Sequence, residues 1–261
     1  MKNRLLNICI LCMVFPFFLQ AADTHSVYNL RCEQEENPLG IETGQPCFSW
    51  QIQAQQRNFE QSAWQILVAD SPEKLQAGNG NIWDSGKTLS SASILVPFKG
   101  KELKAGQTYY WKVRSWDKED SPSRWSCIHT FGMGLLSEKD WSNAKWIALE
   151  KDRKDEIVTI GLKGKKIGMY RLPQFRKEFT VQKPVKRATA YVSGLGHFDM
   201  FLNGEKVGNN FLDPGWTKYD KCALYVTFDL SGQLKQGGNA IGVMLGNGFF
   251  NIPRERYFKL L

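Results

Sequence analysis

Helical periodicity is nearly missing from this chain of 261 residues. No apolar stripe recurs at three- and four-residue spacing over three turns, which excludes helix bundles and coiled coils. The only helix-like patches are 72–77 and 135–141, about two turns or less. Histidine is scarce, with 3 in all, and no Ser or Cys stands at a recognisable spacing from His197, which reads as structural or surface-exposed. Past residue 22 no apolar run is long enough to span a bilayer. Neither apolar residues (42%) nor charged ones (23%) are depleted, so wholesale disorder and collagen-like repeats are excluded too.

The first residues read as an address. Lys2 and Arg4 precede an apolar run over 5–19, and Ala21 and Ala22 follow it. That order is a secretory signal peptide, 1–22, and implies a periplasmic or extracellular product. A lipid anchor on Cys12 is the rival reading, with Leu11 too bulky for the usual processing site. Four cysteines then remain: Cys32, Cys47, Cys127 and Cys222. No two of them are spaced CxxC, which argues against zinc. Cys32 and Cys47 flank the turn-rich Asn37-Pro38-Leu39-Gly40 and are either a disulfide across two antiparallel strands or two free thiols packed as small hydrophobes.

Period-two alternation is what the chain has in quantity. It runs through Trp64, Ile66 and Val68; Tyr109, Trp111 and Val113; Ala188, Ala190 and Val192; and Leu224, Val226, Phe228 and Leu230. Successive strand side chains point to opposite faces, so each run is expected to bury one face and wet the other. Short strands separated by Gly, Pro and Asn define an all-β chain of sandwiches. The first module, 27–132, has Trp50 in an early strand and Tyr109 opening a later one. Tyr109 is placed to swing its hydroxyl onto upstream backbone, as in the tyrosine corner of a fibronectin-type-III-like sandwich.

The second module, 141–261, begins with a charged, Gly-rich stretch over 150–168 that reads as a long loop. Asn203-Gly204 then closes a hairpin whose Phe198, Met200 and Leu202 share a face. Asp213-Pro214-Gly215-Trp216 reads as a turn with Pro at its second position and Gly at positive φ at its third. About six strands are legible where a jelly roll has about eight, and the chain stops at Lys259-Leu260-Leu261 with no turn signal. The second sandwich is therefore expected to be incomplete.

Candidate site residues lie in the second module. Trp216 and Tyr219 put rings on a loop, where a sugar's C–H face can stack while its hydroxyls find polar partners. The competing reading makes Trp216 part of the core edge. Asn247 lies in Gly246-Asn247-Gly248, where glycine permits close backbone approach. Asp213 and Asp220 are read as a turn residue and a solvated charge, not a catalytic pair. Lysine and arginine exceed acids by 34 to 26, and the surplus falls in 145–187, with 13 basic against 5 acidic residues. Export and the lack of a recognition helix or RNA-binding sheet argue against nucleic acid. A solvated loop, or docking to an acidic domain or anionic glycan, accounts for it.

Several motifs together resemble the N-terminal region of bacterial alpha-L-rhamnosidases. In the first module these are Asn37-Pro38-Leu39-Gly40-Ile41, Phe48-Ser49-Trp50, Ile82-Trp83-Asp84-Ser85-Gly86 and Tyr110-Trp111-Lys112-Val113-Arg114. In the second they are Phe175-Arg176-Lys177-Glu178-Phe179, Gly194-Leu195-Gly196-His197-Phe198, Leu202-Asn203-Gly204, Asp213-Pro214-Gly215-Trp216-Thr217-Lys218-Tyr219 and Leu245-Gly246-Asn247-Gly248-Phe249-Phe250. The resemblance implies a galactose-binding-like jelly roll as the second domain. It also implies an inverting family 78 glycoside hydrolase whose paired carboxylates, about 6.5–9.5 Å apart, lie in an (α/α)6 barrel. None of that barrel is expected here, so no catalytic residue is carried over and this chain alone is expected to be inactive. Its expected partners are that barrel and rhamnose-containing glycans. Some similar domains bind rhamnose with calcium, for which Asp199 and Asn247 offer oxygen ligands. A free-standing carbohydrate-binding or protein-interaction protein is the alternative.

Overall fold

The computed structural model describes residues 25–148, 156–160, 165–169 and 172–250. The expected signal segment and the chain's last residues lie outside these. Among the described residues no helix is long and apolar enough to cross a membrane.

The first sandwich follows the alternation closely. Its strands are β1 (His25–Cys32), β2 (Cys47–Ala54), β3 (Gln61–Ala69), β4 (Trp83–Asp84), β5 (Thr88–Leu89), β6 (Val96–Pro97), β7 (Thr108–Asp117) and β8 (His129–Gly132). One sheet runs β1-β2-β6; the other runs β4-β3-β7-β8, with β5 also on β3. Between them Phe48, Trp50, Trp64, Ile66, Val68, Tyr109, Trp111, Val113 and Phe131 form the core. Its centre is aromatic: the Phe48 and Trp111 rings lie 4.5 Å apart, and Tyr109 and Phe131 5.5 Å. Such rings bury large areas at little entropic cost, about 150–250 Å² each. The tyrosine corner forms as expected, with the Lys104 amide donating to Tyr109 Oη at 2.9 Å. Buried Trp50 finds a partner for its Nε1 in Gln61 Oε1, at 3.0 Å.

Two features differ from simple alternation. The outer face of β3 is not wet: Leu67 and Ala69 pack under Leu75 of a short helix α1 (Pro72–Gln76). Ser71 caps that helix, and Trp125 and Ile128 extend the cover. Cys32 and Cys47 are free thiols. The register explains it: Cys32 lies opposite Phe48, so it shares the core face with Phe48, while the adjacent Cys47 pairs with Pro97 and points to the other side. A disulfide needs Cβ vectors that face each other. Burial pushes the Cys32 thiol well above the ordinary thiol range.

A 3-10 turn, η1 (Glu138–Trp141), leads onward. The charged stretch expected as a loop contains a hairpin, β9 (Glu156–Ile160) with β10 (Lys165–Met169), paired from Lys165↔Ile160 to Met169↔Glu156. The β-branched run Ile157-Val158-Thr159-Ile160 carries enough strand preference to outweigh its charged, Gly-rich surroundings.

The second sandwich comprises β11 (Gln174–Val181), β12 (Thr189–Ser193), β13 (Phe198–Leu202), β14 (Glu205–Lys206), β15 (Tyr225–Asp229) and β16 (Gly237–Leu245). Sheet β11-β16-β13-β14 faces the pair β12-β15. Phe198, Met200, Leu202, Val207, Phe228 and Leu230 are buried between them, with Ala190, Val192 and Val226 packed alongside. The hairpin turn is the primed type that Asn203-Gly204 demands, with φ at 54° and 89°. The expected Pro-Gly turn takes another form. Gly215 is not at positive φ; Leu212 is instead, at 57°, and the Asp213–Pro214 peptide is cis. This segment is fixed at both ends of Asp213: its carbonyl accepts from the Phe198 amide at 2.8 Å, and its carboxylate accepts from Asn210 Nδ2.

Candidate functional site

Three loops converge where β13 begins and β16 ends. The first, 194–197, precedes β13, and the Gly246 amide donates to the His197 carbonyl at 2.6 Å. The second is the segment around Asp213 just described. The third, 246–250, presses on the first so closely that a Cβ on Gly196 would stand 2.1 Å from the Gly246 carbonyl oxygen. Glycine is needed there for a second reason, a φ of 137°. This is the close backbone approach expected around Asn247.

The convergence sets two aromatic pairs at one end of the sandwich. The Trp216 and Phe249 rings lie 5.4 Å apart, tilted by 39°, and Tyr219 meets Phe250 edge-on at 5.4 Å. Trp216 is not core edge, being 62% exposed, with Phe249 at 57% and Phe250 at 51%. Tyr219 Oη and His197 Nδ1 are buried atoms with no hydrogen-bond partner among the described residues. An exposed apolar face with a few inward polar atoms beside it can stack on a saccharide or seat against protein.

The candidates therefore separate. Trp216 and Tyr219 stand on this end, and Asn247 lies in one of its three loops. Asp199 points away from the core on β13, where Lys206 Nζ holds its carboxylate at 2.7 Å. That pairing neutralises the expected calcium ligand, and among the described residues no three His, Cys, Asp or Glu gather as a metal set. The residues present thus do not fit a calcium site built on Asp199 and Asn247. Of the other two acids, Asp213 serves the loop through Asn210, and exposed Asp220 lies 3.7 Å from Lys218. Phe249 and Phe250 were missing from the sequence-based site. Two adjacent aromatics directly after a Gly-Asn-Gly loop are the signal that marks them.

Fold and site define a tandem of β-sandwiches, an Ig-like domain followed by an accessory domain with an aromatic loop end. Residues 27–137 match the Rha78A-like, N-terminal immunoglobulin domain, and residues 183–258 match the alpha-L-rhamnosidase N-terminal domain. The chain thus carries, in order, two domain types found in the N-terminal region of the alpha-L-rhamnosidases it resembles. An alpha-L-rhamnosidase of Formosa agariphila is 44% identical over 225 residues, which are 83% of this chain and 23% of that protein. The solved alpha-L-rhamnosidase of Dictyoglumus thermophilum superposes with a TM-score of 0.77 at 41% identity, covering 85% of this chain and 25% of that one. That of Aspergillus terreus gives 0.72 at 32% identity, covering 87% and 24%. The chain thus spans about a quarter of the length of the relatives it matches.

Proposed function

We propose that this chain serves as the exported, non-catalytic N-terminal portion of an alpha-L-rhamnosidase, and that its second sandwich offers a rhamnose-containing glycan an aromatic platform. The observation that carries the platform is the pair of exposed rings, Trp216 and Phe249, fixed by a glycine crossing rather than left on a free loop. Pyranose C–H faces stack on such rings, and Tyr219 Oη and His197 Nδ1 are at hand to be satisfied by hydroxyls or water. The hydrolysis itself would belong to a catalytic part of the kind the relatives' additional length accommodates. Calorimetry with L-rhamnose is expected to give heat that Trp216→Ala abolishes, with or without added calcium. No heat under either condition would remove the platform reading. The isolated chain is expected to leave a rhamnoside intact, and enzymatic release of rhamnose would overturn the scaffold reading.

A second reading draws on the breadth of apolar exposure at this end, where Phe211 is 81% exposed and Leu212, Leu224 and Phe250 are also open. Large apolar patches mark protein interfaces, and the catalytic part of such an enzyme is the partner this face would fit. Trp216 fluorescence would then shift to the blue in a longer chain that includes that part. An unshifted spectrum would leave the rings to a ligand.

A further inference from the structure

The two sandwiches meet through a set of contacts in which side chains of the second read main-chain atoms of the first. The platform on the first sandwich is held by its own hydrogen bonds. The Ile41 amide donates to the Gly132 carbonyl at 2.9 Å, Gly134 to Ile41 at 2.7 Å, and Gly106 to Gly134 at 3.0 Å. The connecting segment through residue 134 is therefore zipped between 41 and 106 and belongs to the first sandwich. Next to it, Leu136 and Ser137 amides donate to Asp140 Oδ2 at 2.9 and 2.7 Å, which fixes η1.

Against this platform stands the outward face of β12-β15. Tyr225 Oη accepts from the Leu135 amide at 3.0 Å, and the Glu42 charge acts on its hydroxyl. Tyr191 Oη donates to the Met133 carbonyl at 3.3 Å. Arg187 donates to the Gly106 carbonyl at 2.9 Å and to Thr108 Oγ1. The Trp141 ring meets Tyr225 edge-on at 5.4 Å, and Tyr225 meets Tyr191 at 5.9 Å. Two glycines make the approach feasible: a Cβ on Gly134 would stand 2.4 Å from Tyr225 Oη, and one on Gly40 2.5 Å from Thr227 Oγ1. Burial raises Tyr191 above the ordinary tyrosine range and pushes Tyr225 up to about 12.

Relative motion is the default for tandem domains joined by a small polar interface. Here the contacts differ in kind from a polar rim. Each hydrogen bond ends on a backbone atom or short side chain that cannot follow a reorienting partner; these come from 106–108 and 133–135, and Gly40 packs on Thr227 from a third segment. We propose that this joint is a docking interface independent of the covalent connection: the β12-β15 face binds the platform of 40–42, 106–108 and 133–135 as a partner in its own right and fixes the angle between the sandwiches. This gives the scaffold reading its geometry and rests on that reading for its purpose. The contact itself stands whether or not the protein serves a glycosidase.

The test inserts a protease site between Lys151 and Asp152 of the full chain and cuts it after folding. The halves are expected to sediment as one particle. Arg187→Met, Tyr191→Phe and Tyr225→Phe combined alter only the outward face and should weaken their association on the order of a hundredfold, from the several hydrogen bonds lost. In the uncut chain, amide relaxation should report one tumbling time for both sandwiches, splitting into two in the combined variant. Halves of the wild type that part on cutting, two tumbling times in the intact wild type, or a combined variant that associates as tightly as the wild type would each overturn the proposal. Neither measurement involves a sugar, so its failure is distinct from failure of the glycan platform.

Discussion

Arg114 shows how a residue can be charged, half-buried and still structural. Its guanidinium carbon lies 4.7 Å from the Trp116 ring centre and 4.6 Å from that of Trp125. Lys87 stands over Trp116 at 5.0 Å and Lys112 over Trp125 at 4.8 Å, which completes an alternation of cations and rings on the outer face of β7. Arg114 also donates twice to Gln65 Oε1, and Lys112 Nζ donates to the Leu75 carbonyl at 2.5 Å. Burial, and then the nearby Arg114 charge, lower the Lys112 pKa. The stack ties 122–128 to β7 where the ladder of strand hydrogen bonds is interrupted, through Ser123 and Ser126 amides donating to Ser115 and Val113. Cation–π contacts are worth about 0.5–2 kcal/mol each, the more so when desolvated. Arg114→Met is thus expected to cost the first sandwich about 1–3 kcal/mol in a denaturant melt. A loss within about 0.5 kcal/mol would make the alternation ornamental.

At the scale of elements, the loop crossing at Gly196 and Gly248 is the joint on which the aromatic end depends. Gly196→Ala brings both a φ of 137° and a Cβ 2.1 Å from a carbonyl oxygen. Backbone cannot yield as a flexible side chain would, so the expected outcome is a loss of more than about 2 kcal/mol in the second sandwich. Trp216 fluorescence should change with it, while the first sandwich melts unchanged; an unaltered melt would contradict the crossing. The sequence pattern made much of this scale legible. Period two located β3, β7, β12, β13 and β15, Asn203-Gly204 located a hairpin, and Tyr109 announced its corner, because each is a local rule of backbone and burial. The hairpin β9-β10 was not legible, since charge and glycine mask a short β-branched run. Nor was the second cover over β3, since Leu67 meets Leu75 only after the chain turns back. The site was legible in half: Trp216 and Tyr219 could be named as ring-bearing loop residues, but their ring partners Phe249 and Phe250 meet them only through the loop crossing. Asp199 looked like a ligand because nothing local showed that the hairpin would bring Lys206 onto it.

For the whole molecule, the arrangement of the sandwiches should carry a pH signature of its own. Tyr225, raised to about 12 from an ordinary 10, is neutral in the joint and faces Glu42, Tyr191, the Leu135 amide and Trp141. The group binds its proton more tightly in the docked state, so docking favours the protonated form. Above pH 10 the undocked tyrosine ionises first, and the free energy of docking falls as pH rises toward about 12. Once ionised, Tyr225 gives up its hydroxyl proton and stands against the Glu42 carboxylate. Below pH 10 its contribution is fully present and flat. The association constant of the cut halves is therefore expected to hold steady up to about pH 10 and then decline. Tyr225→Phe should lower the plateau and flatten the decline, whereas other tyrosines ionising across the same range would leave the decline in place. A steep decline that survives Tyr225→Phe would assign the alkaline sensitivity elsewhere. A joint that holds at lower pH and loosens only there keeps one angle between the two sandwiches throughout the range below about pH 10.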